Sequence, residues 1–187
     1  MNEEGKARRL TYVDLRGLLA ILFLTHCHHA KDQYEGYPGG ILQFAEGKFG
    51  GGDKEISMAL GRNPKSTDLR ERHPFDVEVC RIPPGKAICP YHSHSAQWEF
   101  YHVISGNGLV RHTEGTTEIE PNDAFIFEPG QPHQIANNGP ADLIIFIVAD
   151  NPIGESCYYP DSNKWLVRSP ESRLIRSDPI DYYEGEE

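Results

Sequence analysis

The 187-residue sequence predicts an all-β protein built as an antiparallel barrel or sandwich, and three observations carry that expectation. Short apolar runs recur at intervals of about 8 to 12 residues, each bounded by Gly, Pro, Asn or Asp. Phe75-Asp76-Val77-Glu78-Val79-Cys80-Arg81-Ile82 alternates in character, the period of a half-buried strand. Leu143-Ile144-Ile145-Phe146-Ile147-Val148 is apolar throughout, as a strand covered on both faces requires. No internal repeat is present, so one barrel is expected rather than two.

Three segments follow: an N-terminal extension over residues 1–40, the barrel over 41–150, and a C-terminal extension with an acidic tail over 151–187. In the first, Lys6, Arg8 and Arg9 precede an apolar run from Gly17 to Leu24. Asp14 and Arg16 interrupt the signal-peptide pattern, no small-x-small cleavage site follows, and the run is too short to span a bilayer. A short helix on the barrel or an unstructured leader is expected instead. His26-Cys27-His28-His29 is not taken as a metal site, because consecutive side chains cannot all face one ion from a regular element.

Within the barrel, Gly-rich turns frame a weak strand at 41–44, and residues 56–60 read as another short strand before the Gly61-Arg62-Asn63-Pro64 loop. The 75–82 strand, with Phe75, Val77 and Val79 on one face, stops at Pro83-Pro84-Gly85. Strands are then expected at 100–104, ending at Gly106-Asn107-Gly108, at 109–112, at 116–119 after the Glu114-Gly115 turn, and over Ala124-Phe125-Ile126-Phe127. The apolar 143–148 strand is expected to close the back sheet.

The chemistry gathers in Tyr91-His92-Ser93-His94-Ser95-Ala96-Gln97-Trp98-Glu99 and in Pro129-Gly130-Gln131-Pro132-His133. On a strand, residues two apart share a face, so His92 and His94 point the same way. Parity changes before Glu99, so a turn or bulge at 95–97 must reset the strand before Glu99 points inward too. Three imidazoles and a carboxylate are a metal-ligand set.

Gly85, His92-x-His94, Glu99 and Gly106 in this order resemble the first motif of the cupin superfamily, and Gly130-x-x-His133-x-x-x-Asn137 resembles the second. The first motif carries one extra residue between Gly85 and His92, and Pro129 abuts Gly130 instead of standing one residue before it. Asn122-Asp123 occupies the usual Gly-Asp turn, and Asn best replaces Gly at positive φ. The resemblance implies a double-stranded β-helix, the cupin jelly roll, with one divalent metal ion held by His92, His94, Glu99 and His133 in its mouth. Past the barrel, Tyr159-Pro160-Asp161-Ser162-Asn163-Lys164 resembles the tail of bacterial single-domain cupins described as mannose-6-phosphate-isomerase-like. The resemblance spans about residues 55 to 168.

A His3Glu set suits Fe, Mn, Ni, Co or Zn and leaves positions for a bidentate oxygen ligand. The expected function is therefore binding or transformation of a small oxygenated molecule (an organic acid, sugar or sugar phosphate) by a metal-dependent dioxygenase, isomerase or lyase. The alternatives are a non-catalytic binding or sensing cupin and a structural barrel. Tyr101, on the inward face with Glu99, is the candidate pocket acid or hydrogen-bond donor. The formal charge of −10 argues against a nucleic-acid partner. Cys27, Cys80, Cys89 and Cys157 form no CxxC pair, which suits reduced thiols in a cytoplasm. A homodimer is expected, since exposed barrel edges are usually covered by pairing.

Overall fold

The computed structural model describes residues 47–168, 172–176 and 178–186. The expectations for residues 1–40 and for the 41–44 strand lie outside them. The described residues open with β1 (Gly52–Glu55), two single-turn helices, α1 (Ile56–Ala59) and α2 (Leu69–Arg72), and the long strand β2 (Phe75–Ile82). Then come β3 (Ser93–His94), β4 (Glu99–Ser105), β5 (Gly108–His112), β6 (Gly115–Ile119), β7 (Ala124–Phe127), β8 (Gln134–Ala136) and β9 (Leu143–Asp150). Beyond them lie β10 (Ser156–Tyr159), a 3-10 turn over Pro160–Ser162, β11 (Lys164–Val167) and β12 (Arg173–Arg176).

These strands form an antiparallel jelly roll. One sheet runs β1-β2-β9-β4-β7, a second β6-β5-β8, and a third β12-β11-β10-β3. Isolated bridges His92 to His133 and Ala87 to Ala136 stitch the sheets together. The core lies between the first two: Ile82, Val103, Leu143, Ile145 and Ile147 from the long sheet meet Val110, Ile119 and Ile135 from the short one. The apolar 143–148 run becomes β9, the middle strand of the long sheet. Its alternate residues Leu143, Ile145, Ile147 and Ala149 are buried, while the others are half-covered.

Turn chemistry sets the register. Gly106 adopts φ +84° between β4 and β5, and a Cβ there would run into the Asp142 carbonyl and the Leu143 backbone. Asn122 adopts φ +78°, the conformation foreseen for its turn. Asn137 anchors the end of β8: its Nδ2 donates to the carbonyls of Ile82 and Ala141, both at 2.7 Å, and its Oδ1 accepts from Gly139 N at 2.8 Å.

One local expectation is corrected. Residues 56–60 are not a strand: Ile56–Ala59 is a helical turn, closed by Leu60 N donating to the Ile56 carbonyl at 3.0 Å, with Gly61 at φ +94° just past its end. The small residues Ser57 and Ala59 are buried, and Ser57 Oγ accepts from Val77 N at 2.8 Å, so the turn packs on β2 through its small side chains. On β2, the apolar trio Phe75, Val77 and Val79 is the outer set. Phe75 is 51 % exposed, whereas Cys80 and Ile82 are buried and Asp76 and Glu78 look into a cavity.

Candidate metal centre

His94 on β3 and His92 just before it stand at the mouth of the jelly roll, and paired backbone hydrogen bonds hold them there. His92 N donates to the His133 carbonyl at 3.1 Å and His133 N returns a bond to the His92 carbonyl at 2.8 Å. His133 therefore lies directly opposite His92, one residue before β8. The chain leaves β3 through Ser95 to Trp98, which provides the parity change the sequence demands, and re-enters at Glu99, the first residue of β4. Gln97 and Trp98 fasten that loop to Asp150 at the end of β9.

The four side chains converge. His92 Nε2 lies 3.0 Å from His94 Nε2, Glu99 Oε2 lies 2.9 Å from His133 Nε2 and 3.3 Å from His94 Nε2, and all four donor atoms fall within 4.8 Å of one another. The histidines are buried, and the Glu99 side chain is 13 % exposed. What faces the other ring nitrogen is decisive for chemistry. His92 Nδ1 meets the Pro90 carbonyl at 2.9 Å, His133 Nδ1 the Gln131 carbonyl at 3.1 Å, and His94 Nδ1 the Glu155 carboxylate at 3.2 Å. Each of these partners only accepts, so each Nδ1 carries a proton and Nε2 is the atom each ring has left for a cation. Three Nε2 atoms and a carboxylate oxygen aimed at one point suit a divalent cation, which would take the place of the protons that His94 and His133 share with Glu99.

Electrostatics agree with that arrangement. Burial, followed by the neighbouring His133 and His94 charges, lowers the His92 imidazole to about 4. Burial also opposes a charge on His94, but Cys157, Glu155 and Glu99 outweigh it and raise the ring to about 12. Glu99 is buried, yet hydrogen bonds from His133 and His94 hold its carboxyl well below the ordinary range. Without a cation the cluster is thus an imidazolium–carboxylate pair with a neutral imidazole beside it.

Tyr101 sits beneath this cluster. Its hydroxyl donates to Glu99 Oε2 at 2.7 Å and lies 3.3 Å from His133 Nε2, while its ring stacks on Phe125 with centroids 5.3 Å apart. It is buried and does not line the cavity above the imidazoles. That cavity, about 230 Å3, is walled by His92, His94, Glu99, Cys89 and Tyr159, with Glu78 and Arg62 opposite. Burial, reinforced by the Asp53, Glu55, Asp76 and Glu99 charges, pushes the Glu78 carboxyl well above its usual range. The Cys89 thiol is pushed up by burial and is an inert wall group.

Glu155 is the functional residue that sequence reasoning missed. It is 3 % exposed. Its Oε1 accepts from His94 Nδ1 and from Ser95 N at 3.0 Å, and its Oε2 accepts from Ala96 N at 2.8 Å and Ser95 Oγ at 3.3 Å. Burial works against its charge, but the bonds from His94 and the Ala96 and Ser95 amides hold the carboxyl below its ordinary range. It reaches His94 because β10 pairs with β3, Cys157 opposite His94. No local motif marks it, since 61 residues separate it from His94.

The Cupin_2 cupin domain matches residues 78–149, so the stretch from β2 to β9 that holds the four converging side chains is a cupin domain. Over 93 residues the chain is 29 % identical to the oxalate-binding protein of Thermotoga maritima, covering 50 % of this chain and 74 % of that one. It also resembles two solved structures, each with a TM-score of 0.60. One is a sugar phosphate isomerase of the cupin superfamily from Silicibacter pomeroyi, 21 % identical, covering 74 % of this chain and 88 % of that one. The other is a candidate sugar phosphate isomerase from Acidithiobacillus ferrooxidans, 23 % identical, covering 71 % and 81 %. At these identities the two structures speak for the fold.

Proposed function

We propose that His92, His94, Glu99 and His133 hold one divalent metal ion, Fe, Mn, Ni, Co or Zn, and that the cavity above them receives a small oxygenated molecule. The convergence of three Nε2 atoms on Glu99, with an acceptor holding each ring at Nδ1, carries this reading. A first-row ion bound there supplies Lewis acidity toward a ligand oxygen. Glu155, the Pro90 carbonyl and the Gln131 carbonyl orient the rings; Tyr101 fixes the Glu99 oxygen; Glu78 offers a proton from the opposite wall. Tyr101 therefore acts on Glu99 rather than on the ligand. The same arrangement serves a metal-dependent dioxygenase, isomerase or lyase. A second reading, capture of an organic acid without turnover, draws support from the Thermotoga maritima relative, which is named for binding oxalate.

The chain acts, on this proposal, as a cytoplasmic homodimer. The described cysteines Cys80, Cys89 and Cys157 are free thiols, which suits a reducing compartment. Among the described residues no helix is long and apolar enough to cross a membrane. Exposed Phe75, Phe100, Ile104 and Ile126 give the long sheet an apolar outer side that a second copy would cover. Two measurements test the site. Elemental analysis of protein purified without a histidine tag should find about one divalent ion per chain, lost in the His94→Ala variant. The visible spectrum of the cobalt(II)-loaded protein should change on adding millimolar oxalate. Full metal occupancy in folded His94→Ala, or a spectrum blind to every chelating acid, refutes the proposal.

A further inference from the structure

Cationic side chains collect beside the imidazole cluster in a chain whose formal charge is −10. A second cavity, about 790 Å3, shares Arg62, Leu166 and Arg168 with the first. Lys65 and Arg72 also line it, and the single carboxylate among its described walls is Glu155. Both Glu155 oxygens are already committed to His94 and the Ser95–Ala96 backbone. Of the four cations that line the recess, Arg62 is paired with Asp76 at 2.7 Å, while the recess offers Lys65, Arg72 and Arg168 no free carboxylate.

Two of the guanidiniums are fixed in advance. The Arg62 side chain is only 9 % exposed; Nη1 lies 2.7 Å from Asp76 Oδ2 and Nη2 donates to Asn151 Oδ1 at 3.0 Å, while the buried Nε has no acceptor. Asn151 is in turn anchored by donating to the His73 carbonyl at 3.2 Å. Arg72 donates to the carbonyls of Pro64, Pro152 and Asn151 at 3.1, 3.2 and 3.4 Å. These acceptors are neutral, so they hold the group in place and leave its charge uncompensated. Burial, and then the nearby Arg62 and Arg168 charges, lowers Arg72 from its ordinary value. Asp76 offsets one of these charges, and the excess left by Arg72 and Arg168 costs the folded state free energy that a bound anion offsets. Their planar donors match phosphate and carboxylate oxygens.

Size connects the recess to the cluster. The first cavity, about 230 Å3, is smaller than the roughly 300 Å3 at which small-molecule pockets begin, so a ligand longer than a two-carbon acid must extend past Arg62 and Arg168. We propose that this recess binds the second anionic group, a phosphoryl or a carboxylate, of a small hydroxy or oxo acid whose other end faces His92, His94, Glu99 and His133. The ligand's first end rests on the metal reading above; its second end rests on the arginines alone.

Calorimetric titration of the metal-loaded full chain with glycerate, malate and 3-phosphoglycerate tests this. The three share a 2-hydroxy-acid head and end in a hydroxyl, a carboxylate and a phosphate. One of the two anionic tails should bind about tenfold or more tighter than glycerate, in line with charge-assisted hydrogen bonding, and the tail that does so identifies the group. Arg168→Gln, at an exposed side chain, should shrink the gain, read as the ratio of tailed acid to glycerate within the same variant, to about threefold or less. Inorganic phosphate titrated into His94→Ala reads the recess apart from the metal. If no acid binds the wild type but phosphate binds His94→Ala and is lost on adding Arg168→Gln, the metal reading fails and the recess stands. If all three acids bind the wild type equally, or the tail's gain persists in an Arg168→Gln, Lys65→Gln double variant, the recess proposal is wrong.

Discussion

Replacing Glu155 separates an oriented metal ligand from a merely packed one. In Glu155→Ala, His94 Nδ1, Ser95 N, Ala96 N and Ser95 Oγ all lose their acceptor. The ring is then free to rotate, or to move its proton to Nε2 and hide the lone pair. Glu155→Gln keeps one oxygen for His94 and Ser95 but turns an NH2 toward the Ala96 amide, and it replaces a charge-assisted bond with a neutral one. Losing the carboxylate behind a metal-bound imidazole costs about 10- to 100-fold in metal affinity, or about 1.4 to 2.7 kcal/mol. We expect Glu155→Gln near the lower figure and Glu155→Ala near the upper. Competition against a chromogenic chelator measures this, with thermal unfolding of metal-free and metal-loaded protein alongside. Ser95→Ala is the control: it removes one bond to Glu155 and none to His94, so metal affinity should hold. If folded Glu155→Ala binds metal within twofold of the wild type, Glu155 anchors only the 95–96 loop and the reasoning is refuted.

Three further outcomes are expected. Tyr101→Phe removes the 2.7 Å bond to Glu99 and should weaken metal binding about tenfold, while oxalate still perturbs the cobalt spectrum at full loading; unchanged metal affinity would show that the hydroxyl only packs. Metal-free protein should lose stability as pH falls from about 6.5 toward 4, because unfolded His92 takes up a proton there and folded His92, lowered to about 4, does not. The loss approaches about 3 kcal/mol for this group. His94, raised to about 12, stays protonated in both states below 6.5 and contributes a loss only as pH climbs above that value; urea melts at pH 7, 5.5 and 4.5 with His92→Gln as reference would expose a flat profile if burial of His92 is immaterial. Gly106→Ala forces a side chain into φ +84° and the Asp142 carbonyl, and chemical denaturation should show at least about 2 kcal/mol of destabilisation.

The jelly roll was legible because turns and alternation are local. Pro83-Pro84-Gly85, Gly106-Asn107-Gly108 and Asn122-Asp123 fall at strand ends whatever the tertiary context. The grouping of His92, His94, Glu99 and His133 could be read from spacing and resemblance. The face of β2 could not: Asp76 and Glu78 look like a solvent side until a cavity and Arg62 are seen across from them, while Phe75 is left outside. Residues 56–60 offered apolar alternation with small residues between, and the bond from Val77 N to Ser57 Oγ decided for a helical turn. Glu155 and Arg168 are remote in sequence from what they serve, and only strand pairing brings them there.

The pairing of β10 with β3 also makes the surroundings of His94 depend on chain beyond Asp150. His94 gains its carboxylate partner and its opposite strand only when residues 155–157 dock, more than sixty positions downstream. Closing such a span is slow compared with zipping the β5–β6 hairpin, and it is as long as the spans closed when β2 pairs with β9 in the core. A nascent chain halted after Asp150 would hold all four donor residues and most of the core, yet its His94 ring would have no counter-charge at Nδ1. The strands after Asp150 thus complete the surroundings of a donor set whose four members all lie before them.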